Sequence, residues 1–205
     1  NDSIEKLVDF TYSAAFGLIQ PGQVRSEILQ LAGLVQKHQP RTVVEIGTAR
    51  GGTLFIWSKL AHPEAVIASI DLPGGIHGGG YPLWKTFLYR RFAGRNQRVC
   101  LIRANSQSPG TVQKLKSVIG SRKIDFLFID GDHTYDGVRA DFQNYSPLVS
   151  PNGMIAFHDV CFHSLTSDCR VDVFWREIRN KYRHVEFIKD SNQGWAGIGV
   201  LLLQG

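Results

Sequence analysis

Short apolar runs that each stop at a glycine or an aspartate, with a helical stripe after them, constrain this chain more than any other feature. Arg41 to Ile46 stops at Gly47, Ala65 to Ile70 at Asp71, and Phe126-Leu127-Phe128-Ile129 at Asp130. Runs of this length without alternation are what strands buried on both faces look like. Arg98 to Arg103 and Met154 to Phe157 complete five such strands, the last following a turn at Ser150-Pro151-Asn152-Gly153. Helices are predicted before and between them. Val24, Ile28, Leu31 and Val35 make one stripe that ends before Pro40; Gly51 to Ala61, Tyr81 to Ala93 and Pro109 to Ile119 follow; Val138, Phe142, Tyr145 and Val149 make another stripe, and Val171 to Tyr182 a last helix. His184 to Lys189 and Ile198 to Leu203 read as two closing strands joined by a turn around Asn192 to Gly194. Strands alternating with helices, without a break in composition, mean one α/β sheet covered on both faces. Residues 23–205 are read as that single domain. The first 22 residues, ending at Pro21-Gly22, are an appendage or lid.

The bulk numbers agree with one soluble core. The chain has 205 residues, 43% hydrophobic and 20% charged. It holds no apolar run near the roughly 20 residues that span a bilayer. The acidic start (Asp2, Glu5, Asp9) is unlike a signal peptide, and three cysteines make an odd count, so a cytoplasmic protein with free thiols is expected. His158, Cys161, His163 and Cys169 lack the paired CxxC spacing of structural zinc sites. The net charge of +5 is moderate, and the run from Arg90 to Arg98 is read as a solvated helix face with buried aromatics, a weak signal for nucleic acid.

Val43-Val44-Glu45-Ile46-Gly47-Thr48-Ala49-Arg50-Gly51-Gly52 is a strand, a glycine turn and a helix start. Gly47 permits a sharp turn, and Gly51 stands where a helix N-terminus favours an anion. This is not the dinucleotide GxGxxG pattern. It is ExGxxxG, which resembles the first motif of class I methyltransferases; Glu45, Gly47, Thr48 and Gly51 are its candidate cofactor contacts. Asp71 lies at a strand end 24 residues after Gly47, where a Rossmann-like site places a carboxylate on ribose hydroxyls. Asn105 and Ser106, after the third strand, are placed to read an adenine edge.

The fourth strand ends Asp130-Gly131-Asp132-His133 and the fifth ends His158-Asp159. Strands separated by one crossover helix are neighbours in a parallel sheet. Asp130 and Asp159 then stand side by side and repel, which a divalent cation or a cationic ligand between them would resolve. Asp132 reads as a turn residue.

From about Val24 to Leu202 the chain resembles the methyltransferases grouped with cephalosporin-hydroxylase-like and macrolide-sugar O-methyltransferases. The resemblance rests on EIGTARGG (Glu45 to Gly52), IDLPGG (Ile70 to Gly75), GGGYP (Gly78 to Pro82), FIDGDHTYDGV (Phe128 to Val138) and FHDV (Phe157 to Val160). It implies a Rossmann-like, doubly wound, mostly parallel seven-stranded sheet with an antiparallel last strand. It implies S-adenosylmethionine as cofactor, with Asp130 also touching it, and methyl transfer to a small-molecule or sugar hydroxyl. Carried over, Asp130, His158 and Asp159 hold magnesium or manganese, and His133 is the catalytic base beside Asp130. His158 departs from the family's usual carboxylate, and an imidazole suits manganese, iron or zinc better than magnesium, so a supporting role remains open for it. The loop from Gly74 to Gly80, with Tyr81 and Trp84, is either part of the acceptor wall or a lid, or else a passive linker. A homo-oligomer, with no membrane and no nucleic-acid partner, is expected. The alternatives are a non-catalytic or metal-independent S-adenosylmethionine binder, which would need no Asp130–Asp159 pair, and a nucleic-acid methyltransferase using the basic run.

Overall fold

The computed structural model describes residues 2–13, 17–74, 80–164 and 166–205. Seven strands form one sheet: β1 (Thr42–Ile46), β2 (Val66–Asp71), β3 (Arg98–Arg103), β4 (Ile124–Ile129), β5 (Val149–His158), β6 (Arg183–Phe187) and β7 (Ile198–Leu202). Their order is β3-β2-β1-β4-β5-β7-β6. Strands β1 to β5 pair in parallel, and β7 enters antiparallel between β5 and β6. The sheet is therefore Rossmann-like and doubly wound with an antiparallel last strand, as the sequence predicts. The direction of winding reverses between β1 and β4, and a crevice opens at the carboxyl edge of such a switch point.

Helices α1 (Asp2–Ser13), α2 (Arg25–His38), α3 (Gly52–Leu60), α4 (Lys85–Arg90), α5 (Pro109–Ile119), α6 (Tyr135–Tyr145) and α7 (Val171–Ile178) cover the two faces. One core joins α1 to α4 to the sheet through Val8, Ile28, Leu31, Leu54, Trp57 and Tyr89. The other joins α5 to α7 through Leu115, Val138, Tyr145, Phe174 and Trp175. Ile4 and Val8 of α1 are buried with α2, so the first helix belongs to the outer layer of the fold.

Four local expectations need correction, the first being Val149, which opens β5 instead of extending the stripe of α6. The helix predicted over Tyr81 to Ala93 is only Lys85–Arg90. Tyr81 precedes Pro82, which disfavours helical backbone there, and its ring is buried against Tyr89. Tyr81 is thus packing rather than acceptor wall, and residues 75–79 of the proposed lid loop lie outside the described residues. Ser150 to Gly153 is not a turn ahead of the strand: it lies inside β5, where the pairing with β4 jumps between Ile124↔Val149 and Phe126↔Met154. An irregularity in the β4–β5 pairing absorbs the extra residues, and that pattern reads locally as a turn. The last helix stops at Ile178, and Arg179–Lys181 continues as one tight 3-10 turn.

Candidate active site

A cavity of about 400 Å³ lies at the carboxyl ends of β1, β2, β4 and β5. This is the size range of small-molecule and cofactor sites. Gly47 closes its floor: a Cβ there would overlap the Asp130 carbonyl oxygen, so only glycine lets the ends of β1 and β4 meet. Asp71 lines one side, its carboxylate accepting from the Ala49 N–H at 2.9 Å and the Gly80 N–H at 3.1 Å. Burial pushes this carboxyl up, and those amides hold it back. Asn105, Ser106 and Gln107 form the wall beyond it.

The opposite end holds two aspartates and three histidines. His158 Nδ1 lies 3.2 Å from both Asp130 Oδ1 and Asp159 Oδ2. The His133 ring bridges the same pair, Nε2 to Asp130 Oδ1 and Nδ1 to Asp159 Oδ2, both at 3.4 Å. His163 Nε2 stands 3.4 Å from Asp159 Oδ1, its Nδ1 2.8 Å from the Cys161 carbonyl. Asp130 Oδ2 accepts from Gln23 Nε2 at 2.6 Å. Local chemistry fixes this group. Asp132 accepts from the Thr134 N–H and hydroxyl and from Gln107 Nε2, and Thr134 in turn caps α6 by accepting from the Gly137 N–H. The Arg170 N–H donates to the His133 carbonyl. His133 therefore sits in a turn pinned on both sides.

Burial pushes the Asp130 carboxyl up, but His158 and His133 outweigh it and hold it below its usual range. Asp159 is depressed the same way by His158, His163 and His133 against burial. Burial opposes charge on His158 and His133, and the two carboxylates reverse that and raise both; His163 is raised first by its bond to Asp159.

Comparison with known proteins decides the family: a model described as a methyltransferase domain matches residues 44–160, more than half of the chain. The chain belongs to that methyltransferase family. A protein of Sinorhizobium fredii is 30% identical over 136 residues, covering 62% of this chain; the chain spans only 14% of that relative's length. The fold resembles an O-methyltransferase from Bacillus cereus solved in complex with S-adenosylhomocysteine (TM-score 0.64, 18% identity, 98% of this chain and 91% of that one). It also resembles the O-methyltransferase TomG from Streptomyces achromogenes, involved in tomaymycin synthesis and solved with S-adenosylmethionine (TM-score 0.61, 12% identity, 100% and 91%). Among the described residues no helix is long and apolar enough to cross a membrane.

Within this methyltransferase domain, Gly47, Asp71, Asn105, Ser106, Asp130, His133 and His158 share one cavity wall. Asp159, 6% exposed, touches His133 and His158 just behind it. Three predicted cofactor contacts are turned elsewhere. Glu45 faces the other side of β1 by strand alternation, accepts from Trp57 Nε1 at 3.0 Å and is pushed up to about 8 by burial. Thr48 pairs its hydroxyl with Ser69. Gly51 lies outside the cavity wall, and the Tyr89 ring packs where its Cβ would be. The four residues weighed as a zinc site form no ligand group of their own among the described residues: Cys161 faces Gly197 and Gln193, His158 and His163 pair with Asp159, and Cys169 groups with His133 and Asp159. In the basic run, Tyr89 and Phe92 are buried, but α4 ends at Arg90 and the rest of the run lies in the turns that lead to β3, so it is not a helix face.

Sequence reasoning missed Gly22, Gln23, Gln107 and Thr134 in the wall and His163 behind it. Only His163 carried a signal, its position four residues after Asp159.

The shifts predict how metal-free stability depends on pH. The depressed Asp130 and Asp159 contribute above the ordinary carboxylate range of about 4 and lose that contribution as pH falls through their lowered values. The raised His133, His158 and His163 contribute below about 6.5 and lose it as pH rises through their raised values. Glu45, neutral when folded, costs stability progressively from about 4.3, where the unfolded chain ionises, up to about 8. The melting temperature in chelator is expected to peak near the bottom of this window, at about pH 5, and to fall steadily toward pH 9. A flat melting temperature across that range would contradict the assignment.

Proposed function

We propose that this domain transfers the methyl group of S-adenosylmethionine to a hydroxyl oxygen of a small-molecule acceptor, assisted by a divalent cation and by His133 as base. The observation that carries the reading is the convergence of Asp71 and the Asp130–His133–His158–Asp159 group on one cavity. The resemblance to TomG, which acts in the synthesis of a small molecule, supports an acceptor of that class.

The residues fit both absent groups. Gly47, Asp71, Asn105 and Ser106 would hold the cofactor, with Asp71 accepting from ribose hydroxyls. When bound, S-adenosylmethionine supplies an electrophilic methyl on a sulfonium that leaves as a neutral thioether. Asp130, His158 and Asp159 would hold the cation: their donor atoms all lie within 4.8 Å of one another. His158 Nε2 is buried without a partner, so the ring is held from its Nδ1 side alone. A divalent ion there supplies charge that lowers the pKa of a bound hydroxyl. One nitrogen among the donors favours manganese, iron or zinc over magnesium.

The protein's own part is positioning and proton transfer. Its walls would position the acceptor oxygen for transfer, and such orientation in general contributes about 7–11 kcal/mol of barrier lowering. His133 would take the proton that the acceptor hydroxyl gives up on methylation, and Asp130 and Asp159 would stabilise the resulting imidazolium. His133 must start neutral, so turnover rises with pH as His133 loses its proton.

A second reading has the group working without an ion, because His158 already stands between the two carboxylates. A co-crystal with S-adenosylhomocysteine and manganese separates the two: density bonded to Asp130, His158 and Asp159 supports the first. For the cofactor, Asp71→Ala is expected to weaken S-adenosylhomocysteine binding by about 1–3 kcal/mol, the range for lost charged hydrogen bonds. Calorimetry giving equal affinity in a folded variant would remove Asp71 from the site.

A further inference from the structure

Glu27, on α2, is fully buried and takes no part in the cavity wall. Its carboxylate accepts three hydrogen bonds: from the Lys189 N–H at 3.0 Å and Gln193 Nε2 at 2.8 Å on one oxygen, and from the Gly197 N–H at 2.9 Å on the other. All three donors belong to the segment 188–197 that joins β6 to β7. Gln193 Nε2 also donates to the Trp195 carbonyl at 2.8 Å, which folds the segment onto the same carboxylate.

That segment grips the end of β5. The Ala196 N–H donates to Asp159 Oδ1 at 3.1 Å, the Cys161 N–H donates to the Ala196 carbonyl at 2.9 Å, and the Val160 N–H donates to the Gly197 carbonyl at 3.3 Å. Both sides of this contact are left-handed, with φ of 62° at Asp159, 58° at Ala196 and 81° at Gly197. A non-glycine residue stays in that region only when its surroundings over-determine it. A carboxylate also costs several kcal/mol to bury without partners. Here one donor that satisfies Glu27, the Gly197 N–H, is next in the chain to the Ala196 N–H that donates to Asp159.

We propose that Glu27 is a positioning residue for the reaction: by clamping residues 188–197 it aims the Ala196 amide at Asp159, and so fixes that carboxylate between His133, His158 and His163. The inference rests on the reading of Asp159 as part of the reaction centre. A Glu27 that only filled a polar hole would tie α2 to the loop without affecting β5 or the chemistry. In the clamp, the chain of contacts runs from Glu27 through Gly197 and Ala196 to Asp159, and it ends on the face of the cluster away from Asp71. Loss of Glu27 therefore leaves cofactor binding alone and disturbs the acceptor end.

The test uses the full chain with Glu27→Gln, whose amide presents a donor where at least one of the three donors now binds. Gln193→Ala is the second variant; it removes one clamp bond from a half-buried surface residue and leaves the buried carboxylate in place. Hydrogen exchange is followed peptide by peptide, S-adenosylhomocysteine affinity by calorimetry, and methyl transfer with labelled cofactor and 3,4-dihydroxybenzoate as probe acceptor. In Glu27→Gln, exchange at residues 158–163 and 189–197 is expected to rise about tenfold, as local opening becomes easier. The cofactor Kd should stay within about twofold, and kcat should fall by about tenfold or more with little change in KM, as a misplaced group would cause. Gln193→Ala should follow with smaller changes in the same peptides, and it carries the test if Glu27→Gln does not fold. Faster exchange confined to residues 25–38 and 189–197, or an unchanged kcat in a folded variant, overturns the proposal. A wild type that leaves the diol unmethylated counts against that acceptor, and exchange at 158–163 then decides the role of Glu27.

Discussion

Asp159→Ala is expected to abolish methyl transfer and to weaken the fold at the same time. Viewed as two facing carboxylates, Asp130 and Asp159 repel, and removing either would relieve the chain. The geometry reverses that expectation. Asp159 accepts from the Ala196 amide and lies within 3.4 Å of three imidazoles. Without it His133, His158 and His163 lose their shared counter-charge, and breaking a buried pair by removing one partner costs about 3–5 kcal/mol. Denaturant melts of the metal-free protein should show that loss. Excess chelator should reproduce the loss of activity in the wild type without lowering stability as the substitution does, and added manganese should restore turnover. Full activity in chelator, with no metal by elemental analysis, sinks the metal-assisted mechanism. Asp159 then remains as the residue that holds His133.

His133→Ala should lower kcat by about 10²–10⁴, the contribution of a positioned base. The turn survives, because its bonds are made by Asp132, Thr134, Gln107 and the His133 carbonyl rather than by the ring. Cofactor affinity should change little, since Asp71 and Asn105 lie at the other end of the cavity. The pH profile is the sharper readout. Wild-type kcat should rise as His133 loses its proton, whereas the variant's residual rate should follow only the hydroxide dependence of the acceptor. A variant that keeps wild-type turnover and the same acidic limb assigns the proton to another group.

The strand–helix alternation was readable because apolar runs closed by Gly47, Asp71 and Asp130 have few other uses. Neighbouring strands β4 and β5 then brought Asp130, His158 and Asp159 together with no further information. Where reading failed, tertiary contacts outweighed local pattern. Glu45 sits in a family motif but faces Trp57, because its position in β1 points it away from the cavity. Ser150 to Gly153 has turn chemistry in a place where the β4–β5 pairing is irregular. Gln23, Gln107 and Glu27 act across contacts remote in sequence, such as the 107 positions that separate Gln23 from Asp130. No spacing rule finds such pairs from a single chain.

The stretch from Gln20 to Gln23 carries a consequence for anyone trimming this domain. Pro21 lies against Gly52 at the start of α3, Tyr12 donates to the Gln23 carbonyl at 2.6 Å, and Gln23 reaches Asp130. The sequence places a boundary after Gly22, in the middle of this seam. A recombinant piece begun there would lose Ile4 and Val8 from the core and leave Gln23 as a frayed end with no Tyr12 to hold it. The smallest unit worth expressing or fusing therefore begins with α1, and a tag is better attached ahead of that helix than spliced in at Pro21.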